Sequence, residues 1–476
     1  MNIKVDPTTK DLISITNEIK PLVVGGVAQY PAVPEVAAIV AKAKADADVL
    51  GAVKVGDITA DFNRARQANG AENRGGESTI GNFVADVQKW STGADIALMN
   101  PGGIRANLAY ASSNANDPAG NVTYREAATV QPFANTLVTL TLTGAELKGV
   151  LEEQWQPAGA ARPFLKLGVS DGLVYTYDPA GAQGSRITSI TLNGTPIDPT
   201  AEYTVAANSF LAAGGDNFFT FREGDDKRDT GKIDLQSMVD WFDANKTATP
   251  DLAQRAVGVS VSAPDADGYS AGDQVTVSLS SLAFSGGEAA PGAVTLSLGG
   301  TQLAAGTVDP TVVDTTDEAG RAALTFTVPT GVFGDQQLTV LVPATGTTVQ
   351  VPFTIAGEEP AEFAGTIDLG SSKVAAGKKL QITGEGYEPG ETVTVQLRPK
   401  KGQPITVGTV QVAADGTFSS SVTVPKSTQP GKYTVAVSQA DGDEATATVT
   451  VNRAGGIGGI IGGIIDWLWD LLNGWF

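Results

Sequence analysis

The spacing of hydrophobic residues changes character twice along the 476-residue chain. In the segment 1–30, residues 3–5 and 12–15 are short apolar runs flanking the turn Asp6-Pro7-Thr8-Thr9-Lys10-Asp11, which predicts a small hairpin. Pro34 then opens a helical pattern. Glu35 lies in its first turn, and Val36, Ile39, Val40 and Ala43 recur at helical spacing to about residue 47. Between about residues 51 and 257 helical and alternating patterns interleave. Ile80, Phe83, Val84 and Val87 mark one helix face, and Thr143-Gly144-Ala145-Glu146 opens a second helix in which Leu147, Val150 and Leu151 point inward. Residues 95–99, 136–142, 173–177, 187–192 and 203–207 read as strands, and residues 235–242 as a last helix. Such a mixture over residues 31–257 predicts one α+β (mixed α/β) domain.

Past residue 257 the helical signal stops. Alternating runs between Gly, Pro, Asp and Ser turns fill residues 258–356 and 361–452, the pattern of two all-β immunoglobulin-like sandwiches. The two stretches resemble each other: Gly268-Tyr269 through Leu279 matches Gly386-Tyr387 through Leu397, and Phe326-Thr327-Val328-Pro329 echoes Val422-Thr423-Val424-Pro425. Residues 453–476 form an apolar, Gly/Ile/Trp-rich tail. Ile464, Leu468, Leu471, Leu472 and Trp475 share one helical face, opposite Asp466, Asp470 and Asn473. That amphipathic arrangement predicts a segment for a membrane interface or self-association.

Charge and two missing residue types narrow the chemistry. Acidic residues number 52 against 32 basic ones, a formal net charge of −20, which disfavours nucleic acid and anionic membranes as partners. Cysteine and histidine are both absent. Their absence excludes disulfides, thiol nucleophiles, zinc sites of the usual nitrogen and sulfur ligands, and any triad that relies on imidazole. A Gly-rich chain without Cys suits an extracellular or cell-envelope location. No basic segment followed by an apolar run succeeds Met1, so no signal peptide is visible, and the expectation is a fragment or a start lying further upstream.

Four motifs in the mixed domain lie at element ends, where loops on a rigid scaffold place binding groups. They are Arg74-Gly75-Gly76-Glu77-Ser78, Asn100-Pro101-Gly102-Gly103-Ile104-Arg105, Gln131-Pro132-Phe133-Ala134-Asn135, and Asn208-Ser209-Phe210-Leu211-Ala212-Ala213-Gly214-Gly215-Asp216. Glycine pairs let backbone approach a ligand closely, and arginines offer bidentate contacts to phosphate. Other catalytic patterns are weak. The glycines of Gly76-Glu77-Ser78-Thr79-Ile80-Gly81 are spaced one residue too far apart for a nucleophile elbow, and the neighbours Glu152 and Glu153 point apart on a helix.

In order and spacing these motifs resemble the C-terminal domain of the 5'-nucleotidase family, over roughly residues 30–250. The resemblance implies that Phe133 and Phe210 sandwich a nucleobase and that Arg105 and Arg74 hold a phosphate. It implies further that Asn100 lies near the base and that Asp216 accepts from ribose hydroxyls. Gly102, Gly103, Asn135, Gly214 and Gly215 complete the expected substrate-binding set. Physical reasoning agrees in kind: every base has a π face, so stacking on Phe tolerates many bases, and a carboxylate only accepts hydrogen bonds.

The same resemblance exposes a gap. Family enzymes carry a preceding metallophosphatase domain whose two metal ions activate water, and a chain without histidine cannot supply those ligands. Residues 1–30 resemble the end of that domain and its linker. The expectation is therefore the nucleotide-recognition part of an exported 5'-nucleotidase, with no catalytic residue, metal or cofactor of its own. It would bind a nucleotide or nucleoside without hydrolysing phosphate esters alone, or restore hydrolysis with a separate metallophosphatase chain. The alternative is a non-enzymatic surface or adhesion protein with a vestigial nucleotidase-like domain.

Overall fold

The computed structural model describes residues 1–112, 117–264, 268–313, 318–357 and 363–454. The tail expected at 453–476 falls, from residue 455 onward, outside the described residues. The chain divides into two compact units, Met1–Glu358 and Glu359–Phe476.

Helices of the first unit are α1 (Pro34–Gly51), α2 (Thr79–Thr92), α3 (Tyr124–Val130), α4 (Gly144–Glu152), α5 (Ser209–Ala212) and α6 (Asp234–Asn245). Their starts are chemically marked. Ser78 Oγ accepts the Gly81 N–H at 3.1 Å to open α2, and Gly93, at φ 74°, closes it in the left-handed region that suits glycine. Capping boxes open both α3, through Thr123 and Glu126, and α4, through Thr143 and Glu146.

A five-stranded sheet carries the loops of interest, in the order Asp225–Ile233, Thr136–Thr143, Glu202–Asn208, Ile96–Met99 and Gly168–Val169. Strand Ile96–Met99 is buried throughout because both sheet faces are covered. Ile96 and Leu98 point into a core with Leu140, Val205 and Phe218, whereas Met99 joins Ile80, Phe83 and Val84 of α2. By contrast the N-terminal hairpin, Asn2–Val5 paired with Leu12–Thr16, is almost entirely exposed, and in α1 only Gly51 is buried. An ion pair of 2.7 Å between Asp48 and Arg125 fastens α1 to α3.

The change of pattern at residue 257 does not mark a free linker. One six-stranded sheet runs in the order Thr195–Pro196, Ile187–Leu192, Leu173–Tyr177, Ala256–Val261, Gln274–Ser280 and Ala322–Thr327. Strand Leu173–Tyr177 pairs in parallel with Ala256–Val261, with Tyr175 opposite Ala256 and Tyr177 opposite Gly258. The buried carboxylate of Glu77 secures the junction, accepting from the backbone N–H groups of Arg255 at 2.9 Å and Ala256 at 3.1 Å and from Asn82 Nδ2 at 2.7 Å. Arg255 in turn holds Asp86 of α2 at 2.7 Å and Asp251 at 3.0 Å.

A four-stranded sheet, Thr301–Thr307, Ala293–Leu298, Gly334–Val342 and Thr347–Ile355, closes the β-rich end of the first unit. Both sheets contribute to one core, in which Val257, Val277 and Leu324 meet Leu296, Val340 and Val349. The second unit likewise packs three strands and five strands around Leu380, Ile382, Val395 and Val435.

The internal likeness of these β-rich stretches is real but shifted in phase from the sequence expectation. Strand Gln274–Ser280 pairs with Ala322–Thr327, and its counterpart by pairing is Lys379–Glu385, which pairs with Phe418–Thr423. The turns agree: Gly272 N–H bonds Val328 O at 2.9 Å and Gly377 N–H bonds Val424 O at 2.8 Å. Ala271-Gly272 thus corresponds to Ala376-Gly377, while Thr392–Pro399, the strand that contains the second matched Val-Thr-Val run, answers to Ala293–Leu298. Alternating Val and Thr fit any strand with one buried face, so similarity alone does not set which strand is which.

Candidate functional site

Register brings three of the four motifs to one end of the five-stranded sheet. Asn208 is paired with Leu137, so the segment before Thr136 and the segment after Asn208 emerge together. The parallel neighbour Ile96–Met99 ends beside them, with Asn208 Nδ2 at 3.4 Å from Met99 Sδ.

Asn208 ends its strand and caps α5, its Oδ1 accepting the Leu211 N–H at 2.9 Å. Its Nδ2 donates to Asn100 Oδ1 at 2.9 Å, and Asn100 Nδ2 donates to Asp216 Oδ2 at 2.7 Å. Asn100 is only 2 % exposed, so this chain of amides fixes Asp216 from within the protein. The loop it fixes is conformationally demanding. Gly214, Asp216 and Asn217 all adopt positive φ, at 79°, 54° and 65°. Asp and Asn tolerate that region better than most side chains.

Gly102 is the meeting point. A Cβ placed there would lie 3.2 Å from Arg74 Nη1, 3.2 Å from Asp216 Oδ2 and 3.5 Å from Asn100 Nδ2. Arg74 is steadied by Glu72, whose carboxylate lies 3.1 Å from Nε, and by its own carbonyl, which accepts the Lys166 N–H at 2.8 Å. A Cβ on the buried Gly103 would lie 2.5 Å from Met99 Cε, a contact that keeps this turn close to the sheet.

The two phenylalanines expected to stack are both exposed, Phe133 by 55 % and Phe210 by 48 %. The guanidinium of Arg105 lies 5.9 Å from the Phe133 ring centre, and its Nη1 donates to Gly102 O at 3.4 Å. Phe210 lies against Gly215, where a Cβ would come within 2.4 Å of the ring. Ala134, between Phe133 and Asn135, holds φ 52°, and Asn135 Nδ2 reaches Asp234 Oδ2 of α6 at 3.4 Å. Glu152 and Glu153 turn to different partners: Glu152 accepts the Ile187 N–H at 2.7 Å, and Glu153 holds the Thr220 N–H at 3.0 Å. Among the described residues no group of three or more carboxylates is arranged to hold a metal ion, and no helix is long and apolar enough to cross a membrane.

Sequence reasoning overlooked Asn208 as a structural hub, although an Asn between a strand and a short helix is the usual mark of an N-cap. It also overlooked Lys166. This ammonium is buried at 4.2 Å from the Tyr177 ring centre, near Tyr175 and Phe164, and the Tyr177 hydroxyl donates to Glu318 at 3.0 Å. Burial pushes Lys166 down to about 8, against the opposing pull of Glu77 and Glu318, and burial likewise pushes the Glu77 carboxyl up.

The profile of the family described as "5'-nucleotidase, C-terminal domain" matches residues 49–223. The trifunctional nucleotide phosphoesterase protein YfkN of Bacillus subtilis is 33 % identical over 172 residues, 34 % of this chain and 11 % of that protein. A cell wall protein of Listeria monocytogenes, Lmo0130, is 33 % identical over 155 residues, 31 % of this chain and 19 % of its own length. The crystal structure of a 5'-nucleotidase precursor from Thermus thermophilus is 31 % identical, covers 46 % of this chain and 42 % of its own, and has a TM-score of 0.38. The chain thus spans less than half the length of each of these three proteins. What the comparisons identify is therefore a segment: residues 49–223 match the 5'-nucleotidase C-terminal domain family.

Proposed function

We propose that this segment recognises a nucleotide or nucleoside at the end of the five-stranded sheet. The base lies between Phe133 and Phe210, the phosphate meets Arg105 and Arg74, and Asp216 accepts from the ribose hydroxyls. Asn100 serves the site by holding Asp216, and Gly102 leaves the space into which the ligand's polar groups fit. The observation that carries this reading is the convergence of Arg74 and Asp216 on one point above Gly102, beside two half-exposed rings. One stack on an aromatic ring contributes about 1 to 3 kcal/mol whatever the base, so the site accepts several bases.

The chain alone binds without hydrolysing, since it has no histidine and the candidate site offers arginines and a single carboxylate. A separate metallophosphatase chain would restore phosphate-ester cleavage. The β-rich remainder acts as immunoglobulin-like spacers, and the location is the cell envelope or its exterior, in keeping with the cell wall relative.

Calorimetric titration with AMP, adenosine and UMP tests the reading. Binding that is lost in Phe133→Ala or Phe210→Ala supports it. No heat with any of the three overturns it and leaves the surface-protein alternative. Release of phosphate from AMP by the purified chain with Mn²⁺ would overturn the claim that it does not hydrolyse.

A further inference from the structure

We infer that the loop following Gly214 carries a second stacking platform, Phe219 with Arg222, which takes the distal base of a dinucleotide whose first base lies at Phe210. The inference rests on the reading of the site given above. Phe218 and Phe221 are fully buried, whereas Phe219 between them is 44 % exposed. Its position is held rather than loose, because the next residue, Thr220, donates both its N–H and its hydroxyl to Glu153, at 3.0 Å and 2.9 Å. The Arg222 guanidinium lies 4.8 Å from the Phe219 ring centre, and Nε donates to Ala213 O at 3.0 Å.

Those contacts leave both terminal nitrogens of Arg222 without a carboxylate among the described residues, in a chain where 52 acidic residues outnumber 32 basic ones. A planar guanidinium with two free donors suits a phosphate oxygen pair, and its stacked ring suits a base. The glycine pair joins this platform to the first. A Cβ on Gly214 would lie 2.4 Å from Arg222 Nε, and one on Gly215 would lie 2.4 Å from the Phe210 ring. One short turn of backbone therefore touches both groups, Arg222 at Gly214 and the Phe210 ring at the next residue, Gly215. The ligand class is two nucleobases joined through phosphate, either by a 5′–5′ pyrophosphate or by a 3′–5′ phosphodiester.

Calorimetry on the full chain with AMP, diadenosine pyrophosphate and the 3′–5′ dinucleotide ApA tests this. One of the dinucleotides is expected to bind about tenfold more tightly than AMP, the weight of one added stack, and the tighter one identifies the linkage. Phe219→Ala and Arg222→Gln should each reduce the ratio of dinucleotide to AMP affinity toward one. If neither dinucleotide exceeds AMP, or if the advantage survives both substitutions, the second platform is overturned while the mononucleotide site stands. If AMP gives no heat, the site and its extension fall together.

Discussion

The carboxamide of Asn100 donates to Asp216 at 2.7 Å while accepting from Asn208 at 2.9 Å, so one buried side chain ties together loops that leave two different strands. Removing it frees the Asp216 carboxylate to turn away from the position above Gly102. A hydrogen bond to a charged group contributes about 1.5 to 3 kcal/mol, so Asn100→Ala should weaken adenosine binding roughly tenfold or more. The loss should be much smaller for 2′-deoxyadenosine, which offers Asp216 one hydroxyl fewer. Calorimetry on both ligands checks this, and equal losses would exclude a role for Asp216 at the ribose.

Lys166 predicts a pH dependence of stability. It is packed against Phe164, Tyr175 and Tyr177, with Glu77 and Glu318 as the nearby carboxylates, and burial lowers it from 10.5 to about 8. Above pH 8 the folded chain gives up this proton while the unfolded chain still holds it, so stability rises with pH; below pH 8 the contribution is lost. Between pH 8 and 9.5 the gain is about 1 to 1.5 kcal/mol, reduced slightly near the upper limit where unfolded tyrosines begin to ionise. Urea unfolding at the two pH values should show it in the natural chain, and Lys166→Met should flatten the difference.

Ala134 stands at φ 52° between Phe133 and Asn135, where a Cβ crowds the following carbonyl. Ala134→Gly relieves that crowding, offset in part by the greater freedom of glycine in the unfolded chain. The net expectation is a gain of up to about 1 kcal/mol in stability. A thermal melt measures it. A lower melting temperature would show that the loop relies on the methyl group for packing.

A chain cut after residue 257 should fail to fold cooperatively, whereas one cut after residue 357 should melt as a unit. The shorter chain cuts strand Ala256–Val261 after its second residue, removes Gly258 from opposite Tyr177, and uncovers Tyr177, which loses Ser281 and Glu318. Near-ultraviolet circular dichroism and calorimetric melting distinguish the outcomes. A sharp melt for the shorter chain would mean that the shared sheet is dispensable.

Much of the first unit was legible because one face of each element is buried. The apolar stripe of α2 and the alternation in Thr136–Thr143 each announce their partner surface. Strand Asp225–Ile233 was not legible: its sequence is DDKRDTGKI, eight of its nine residues are exposed, and only backbone pairing with Thr136–Thr143 makes it a strand. Helix α3 carries the same Thr-x-x-Glu opening as α4 but is only seven residues long, too short for periodicity to register. For the site, the motifs and their place at element ends could be read in sequence, but their mutual contacts could not. That Asn100 is occupied by Asp216 and Asn208 depends on strands that lie far apart in the chain, and no local pattern encodes such a meeting. The continuity of the sheet across residue 257 escaped notice for the same reason, since a change of pattern tells where element types change and not whether strands on either side pair.

Gly102 has one consequence for how such a surface could be lost. A single methyl group at that position would fill the gap between the Arg74 guanidinium and the Asp216 carboxylate, and the three atoms nearest to it would all be polar. On the proposed reading the chain carries an off switch one carbon atom in size: Gly102→Ala would push the Arg74 guanidinium and the Asp216 carboxylate back by a few tenths of an ångström and close the space between them.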